Sequence, residues 1–346
     1  MNISMKTGKV LPIRLDLDDL PEEGGGVTAV LIGSKAMRDA LHLASQVAPS
    51  DAPVLLQGES GTGKELFARL IHSMSNRGEK PFIPVNCGIL KGELFADKFF
   101  GHESGAFTGA SRQQKGSFEL AGEGTLFLDE VGEIPPNNQA DFLRVLEQRT
   151  FRRLGGERDL PFGARIVAAT NRNLLEMVKA GHFRADLYYR LNVVPVFLPP
   201  LRQRREDIPV LAGHFLEHFA HRYHKPGMKL SPDALSILST HAWPGNAREL
   251  RNLIERLVLV HSDGIIEPEG LPGELQPGSQ VHVEDNASEL FDLDTVVREA
   301  EIKAIFRAFR HAKGNKAKTA EMLGISPRTL RHKVQEYALN LSRQDR

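Results

Sequence analysis

At 346 residues, with 41% hydrophobic and 25% charged content, the chain has the composition of an ordinary globular protein with room for two or three domains. It carries no apolar run long enough to cross a bilayer and no signal segment. Its one cysteine, Cys87, excludes an internal disulfide framework, so a cytoplasmic location away from membranes is expected. Net charge is zero, yet residues 291–346 hold 12 Lys/Arg against 7 Asp/Glu; a basic tail on an acidic body suits a protein whose C-terminal end alone meets nucleic acid.

In chain order, residues 1–27 mix charges without a sustained period and end in Pro, Glu and Gly, which predicts a poorly ordered leader too short for a sensory domain. Ser34 is placed to cap a helix running to about Ala48. From residue 28 to about 200, apolar strands alternate with amphipathic helices, the pattern of an α/β fold with a parallel sheet covered on both faces. The predicted strands are 54–57, 82–85, 125–128, 165–169 and 193–197. Residues 201–271 turn helical, with helices at 208–223, 232–240 and 247–260 forming a smaller subdomain. Residues 272–290, rich in Pro, Gly, Ser and acids, read as a linker, and residues 291–346 as an all-α, basic end.

The chemistry concentrates after the first sheet strand. Gly58-Glu59-Ser60-Gly61-Thr62-Gly63-Lys64-Glu65 joins a buried strand to a helix, as in a P-loop. The glycines let backbone N–H groups turn toward a phosphate chain, the helix N-terminus adds its positive dipole end, and Lys64 supplies a mobile ammonium. Glu65 stands where most such loops carry Ser or Thr for magnesium, so Mg2+ must lean on other groups. A second apolar strand ends in Asp129-Glu130, which falls beside the loop if the sheet is parallel. Asp129 suits a magnesium ion, and Glu130 suits polarising a water for attack on a terminal phosphate. Asn171 ends a further strand and is placed to position that water; Asn86 ends another and is placed to hydrogen-bond Glu130. Asn at a strand end also serves simple turn chemistry.

Residues 102–110 have no secondary-structure period: glycines bracket Phe107, giving either an arm with an apolar tip or a loop that folds Phe107 into the core. Residues 151–156 read as a second, supporting loop. His214, His218 and His221 share a helical face, but the same helix presents Leu211, Phe215 and Phe219, so packing is favoured over zinc. Near the C-terminus a short apolar-faced helix, Gly324, a Ser326 cap and Pro327 spell a helix-turn-helix. Arg328, Thr329, Arg331, His332 and Lys333 then occupy the first turns that would meet DNA. The helical stretch 294–312 suits a dimer interface with paired half-sites.

Five motifs in order carry a family resemblance: GESGTGKE at Gly58, GAFTGA from Gly105 to Ala110, GTLFLDE ending at Glu130, FRADLYYRL at 183–191 and WPGNARELRN at 243–252. Together they resemble the AAA+ domain of the sigma-54-dependent transcriptional activators, the bacterial enhancer-binding proteins, over residues 28–270. The C-terminal segment is similar to that family's Fis-type DNA-binding domain. The resemblance implies a ring of six or seven subunits built from dimers, with ATP held between neighbours. Arg184 and Arg190 would reach across as arginine fingers, Arg248 would act as the lid's sensor, and Asn86 with Glu130 would form a switch pair. Gly105, Ala106, Phe107, Thr108, Gly109 and Ala110 would press on sigma-54 and drive the closed promoter complex open, from enhancer DNA. No receiver segment precedes the ATPase in this sequence, so regulation is expected from a separate protein, from a domain removed upstream, or not at all. Two other readings compete. An AAA+ machine acting on another protein is disfavoured by the intact GAFTGA. An ATP-sensing DNA-binding regulator without hydrolysis is disfavoured by intact Lys64, Asp129, Glu130 and the two arginines.

Overall fold

Five short runs rich in Val, Ile, Leu, Phe and Ala pair side by side; the three inner ones bury both faces, while the two edge runs keep part of their surface in water. In the computed structural model, residues 13–14, 29–30, 33–89, 92–261, 264–275, 305, 308–309, 312 and 315–337 are described. The five strands are β1 (Val54–Gln57), β2 (Phe82–Asn86), β3 (Thr125–Asp129), β4 (Arg165–Thr170) and β5 (Val194–Phe197), in the order β5-β1-β4-β3-β2. Every neighbouring pair is parallel. Alternate residues feed separate cores. Leu55, Leu126, Leu128, Ile166 and Ala168 face one side, and Val54, Leu56, Phe127, Val167 and Ala169 the other.

The helices that cover these faces are α1 (Lys35–Val47), α2 (Lys64–Ser73), α3 (Glu93–Phe100), α4 (Pro136–Gln148) and α5 (Ala185–Leu191). Ser34 caps α1 as expected, its side chain accepting from Met37 N–H. The strand ends differ slightly from the sequence pattern. Strands β2, β3 and β4 each run one residue further, to Asn86, Asp129 and Thr170, because the parallel ladder carries a polar residue the hydrophobic pattern leaves out. Strand β5 starts at Val194, leaving Val193 52% exposed.

Arg165 is the unusual member of the sheet, 1% exposed at the start of β4. Its guanidinium donates to the carbonyls of Ala48 at 2.6 Å, Val47 at 3.0 Å and Ala52 at 3.3 Å. These lie at and just past the C-terminal end of α1, where backbone acceptors lack helical partners and a cation is favoured.

The helical subdomain consists of α6 (Ile208–Arg222), α7 (Pro232–Thr240) and α8 (Asn246–Val260) around its own core, which contains Phe219, Leu238, Leu250, Ile254 and the fully buried Trp243. Trp243 satisfies its indole N–H on Leu238 O at 2.8 Å. By contact density the chain divides into Met1–Gln280 and Val281–Arg346, so the α/β part and the helical part form one compact unit. In the expected leader, Ile13–Arg14 pairs antiparallel with Ala29–Val30, two dipeptides that each carry a β-branched residue; the rest of 1–27 and residues 276–290 of the linker lie outside the described residues.

In the second unit, α9 (Lys316–Met322) and α10 (Pro327–Glu336) are joined by a turn with Gly324 at φ 66°. Ser326 accepts from Thr329 N–H at 3.1 Å, the expected cap. Ile305, Ala320 and Leu330 form a small core. Of the helical stretch expected at 294–312, residues 305, 308, 309 and 312 are described and the others are not.

Replacing Arg165 with Met removes three donors from buried carbonyls at once. Denaturant unfolding should show a loss of about 2–4 kcal/mol. A loss below about 0.5 kcal/mol, the size of an ordinary surface change, would contradict this role.

Candidate active site

The turn after β1 is shaped by two glycines in the left-handed region, Gly61 at φ 77° and Gly63 at φ 102°. Gly61 has a second reason to be glycine: a Cβ there would sit 2.3 Å from the carbonyl oxygen of Gly245. Lys64, the first residue of α2, is 7% exposed, and its ammonium donates to Gly58 O at 2.9 Å and Glu59 O at 3.1 Å. Glu130 Oε1 stands 3.9 Å from the same nitrogen. Burial pulls the Lys64 pKa down, and Glu130 and Asp129 offset this only in part. Among the described residues, the backbone N–H groups of Gly61, Gly63, Lys64 and Glu65 have no acceptor. An ammonium resting on two loop carbonyls with Glu130 at 3.9 Å, beside N–H groups at a helix N-terminus, is a donor set that fits a polyphosphate.

Parallel pairing brings the acids to this place. Asn86 lies opposite Asp129, and Thr170 opposite Gln57, so the carboxyl ends of β1 to β4 finish together. Glu130 follows β3 at φ 53°; its N–H donates to Asp129 Oδ1 at 3.0 Å and its Oε2 accepts from Asn171 N–H at 3.3 Å. Burial pushes the Asp129 carboxyl up first, and the Glu130 charge adds to it, with Lys64 opposing. The donor chemistry at Asp129 suits a hard cation shared with a polyphosphate. Among the described residues no three His, Cys, Asp or Glu side chains gather as a metal cage, and the histidines of α6 are no exception.

Several expected residues are placed otherwise. Asn86 does not bond Glu130: its Oδ1 accepts from Gly88 N–H at 2.8 Å, because the chain turns immediately after β2 and offers that donor. Asn171 meets Glu130 through its backbone rather than its side chain. Arg184 forms a two-pronged pair with Asp186 at 3.1 and 2.8 Å, and Arg190 donates to Leu146 O at 3.0 Å. Both arginines are exposed and neither reaches the chain's own loop. Arg248 does, donating to Ser60 Oγ at 2.9 Å.

What the sequence reading missed is how tightly the helical subdomain grips the loop. Asn246, fully buried at φ 53°, donates to Ser60 O at 2.9 Å and Glu59 Oε2 at 3.1 Å while accepting from Leu201 N–H at 2.7 Å. Arg202 pairs with Glu59 at 2.8 and 2.5 Å, Arg204 donates to Thr62 O at 3.0 Å, and Ala247 N–H donates to Gly61 O at 3.1 Å. Asn directly after Gly was the available signal, since Asn tolerates the left-handed region. A cleft of about 510 Å³ lined by Ser60, Trp243, Arg248, Asn252 and Arg256 flanks this junction.

The arm is a hairpin. Gly101–His102 pairs antiparallel with Gln114–Lys115, and between them Gly105 (φ 84°) and Gly109 (φ 105°) have open space around them. Phe107 does not enter the core: it is 41% exposed and rests edge-on against His102, ring centroids 4.9 Å apart. His102 in turn contacts Asp97 at 2.6 Å. The second loop supports the arm's base, with Leu154 bonded to Gly101 and Glu103 backbone, and Arg153 bridging Glu103 at 2.7 Å and Glu119 at 2.8 Å. In the C-terminal unit Arg328, Thr329, Arg331 and His332 are exposed, and the Lys333 ammonium lies 5.6 Å from the Tyr337 ring centre.

Residues 30–197 match the Sigma-54 interaction domain, residues 202–288 the AAA+ ATPase lid domain, and residues 296–337 the Fis family of bacterial regulatory proteins. The chain is 47% identical over 319 residues to the regulatory protein AtoC of Escherichia coli, covering 90% of this chain and 68% of AtoC. It is 43% identical over 316 residues to the transcriptional regulatory protein ZraR of Salmonella typhi, covering 91% and 70%. The crystal structure of Brucella abortus NtrX in complex with ATP superposes with a TM-score of 0.71 at 34% identity, covering 90% of this chain and 70% of NtrX. The chain therefore belongs to the sigma-54-dependent transcriptional activators, with an AAA+ fold and a Fis-type helix-turn-helix.

The raised Asp129 pKa is a stability statement. An acid whose folded value lies above its unfolded value costs nothing while protonated in both states; the cost appears as pH rises from the unfolded value through the folded one. Asp129→Asn should therefore raise the melting temperature of the nucleotide-free protein at pH 8 and leave it nearly unchanged at the acid end of the titration. An equal gain at both pH values would point to packing instead.

Proposed function

We propose that the chain binds ATP and Mg2+ on the 58–65 loop, hydrolyses ATP in a ring of subunits, and uses the cycle to remodel the closed promoter complex of sigma-54 RNA polymerase from enhancer DNA. The observation that carries the reading is the Lys64 ammonium, held between loop carbonyls and facing Glu130 across 3.9 Å at one end of the parallel sheet. ATP supplies the transferable phosphoryl group and Mg2+ its charge neutralisation. Lys64 and the free N–H groups bind the outer phosphates, Asp129 holds the cation, and Glu130, steadied by Asn171 N–H, orients the attacking water. Arg248 senses the phosphate from the lid side of the loop. Arg184 and Arg190, exposed and distant in pairing from their own loop, serve a neighbouring subunit's phosphate, which makes turnover depend on assembly. Asn86, whose Oδ1 accepts from Gly88 N–H, acts with Glu130 by donating from its side-chain amide N–H.

The proposed working divisions are 28–200 for the α/β part, 201–271 for the lid, 272–290 for a linker and 291–346 for DNA binding. Phe107 and Thr108 at the arm's tip are the sigma-54 contact, and Arg328, Thr329, Arg331, His332 and Lys333 the DNA contact. No helix among the described residues is long and apolar enough to cross a membrane.

Lys64→Ala should abolish ATP binding, whereas Glu130→Gln should bind ATP with turnover lowered at least about a hundredfold. Filter binding and phosphate release read the two; normal turnover by the Glu130 variant refutes its role. Specific activity of the unaltered protein should also climb with protein concentration. No turnover at any concentration would favour a nucleotide-sensing regulator. Phe107→Ala should keep ATP turnover and DNA binding but abolish activated transcription; surviving activation would remove the arm from the mechanism.

A further inference from the structure

Glu65 is the second residue of α2 (Lys64–Ser73), next to the loop lysine. In a helix each Cα–Cβ bond tilts toward the N-terminus, so an untethered carboxylate here leans toward the phosphate cradle. It would repel a polyphosphate there and cancel part of the helix dipole's attraction. The structure holds it the other way. Glu65 Oε1 accepts from Arg69 Nη2 at 2.9 Å and Nε at 3.3 Å, one turn further along the helix and away from the cradle.

Arg69 is well fixed for this. It is 9% exposed, its guanidinium lies 4.7 Å from the centre of the Phe82 ring, and Phe82 is itself packed on His72 and Phe127. The other acid of the loop is treated alike, since Glu59 is gripped by Arg202. Each loop carboxylate thus has its own arginine, while Asp129 and Glu130 are left facing Lys64. The Glu65 charge is within electrostatic reach of this centre, being the least of the groups that raise Asp129.

We propose that Arg69 is a positioning residue for nucleotide binding: it draws the Glu65 carboxylate back along α2 and neutralises it, so that a loop with an acid beside its lysine still accepts a nucleoside triphosphate with its cation. This rests on the reading of the loop as a nucleotide site. Arg69 touches no part of the cradle itself and acts only through Glu65.

The test is the affinity of the full chain for a fluorescent ATP analogue with magnesium chloride, measured for the unaltered protein, Arg69→Gln, Arg69→Lys, Glu65→Gln and the Glu65→Gln/Arg69→Gln pair, with a melting curve for each. Arg69→Gln should weaken binding about tenfold, and the deficit should shrink in high salt. Arg69→Lys should stay within about threefold of the unaltered protein, and the pair should return to within about threefold as well, although it lacks the same packing on Phe82. The inference is overturned if Arg69→Gln binds normally, or if the pair is as weak as Arg69→Gln alone. An unaltered chain that binds no analogue overturns the nucleotide reading and this inference together.

Discussion

The parallel register of the central sheet is the constraint on which the site depends. With Asn86 opposite Asp129 and Thr170 opposite Gln57, four strands end at one level, and whatever follows them is delivered to one place. The loop, the acidic pair and Asn171 are 41 to over 100 residues apart in pairs along the chain, yet meet within hydrogen-bond or ion-pair distance around Lys64 and Glu130. A one-residue slip of β3 would turn its alternate side chains onto the wrong core and carry Asp129 and Glu130 off the loop. The two cores that flank the sheet enforce the register, since β1, β2, β3 and β4 each have apolar residues committed to both faces.

A second layer of control comes from the helical subdomain. Every residue from Glu59 to Thr62 is bonded to a residue between 202 and 248, and Gly61 is pressed against Gly245 so closely that no side chain fits. The loop's shape is therefore a property of both parts together, which agrees with their forming one compact unit. Buried polar groups such as Asn246 are satisfied on three sides, and a satisfied network of this kind fixes geometry more than it adds net stability.

Much of this was legible in the sequence, for physical reasons that also mark where legibility stops. Five apolar runs, the loop with its glycines, and the Ser34 and Ser326 caps are local signals, and each fell within a residue of its expected place. What local pattern does not carry is the choice among hydrogen-bond partners. The Asn86 side chain is turned so that its Oδ1 accepts from Gly88 N–H, two residues on in its own chain, rather than toward Glu130 across the site. Arg184 likewise took Asp186, two residues on. The clasp of Arg202, Arg204 and Asn246 on the loop spans more than 140 positions, and nothing in the composition of either end announces it. For Phe107 the pattern left arm and core both open, and the hairpin with its His102 seat decided for the arm.

The proposed chain of cause runs from a phosphate site at the strand ends, through an assembly that borrows arginines from a neighbour, to an arm that presses on a polymerase subunit. Its most direct test is real-time promoter melting, with purified sigma-54 RNA polymerase, enhancer DNA and the unaltered protein, followed by a fluorescent base inside the promoter. The account requires base unstacking with ATP and none with ADP. Equal signal with either nucleotide, or no melting while ATP is being hydrolysed, would contradict it.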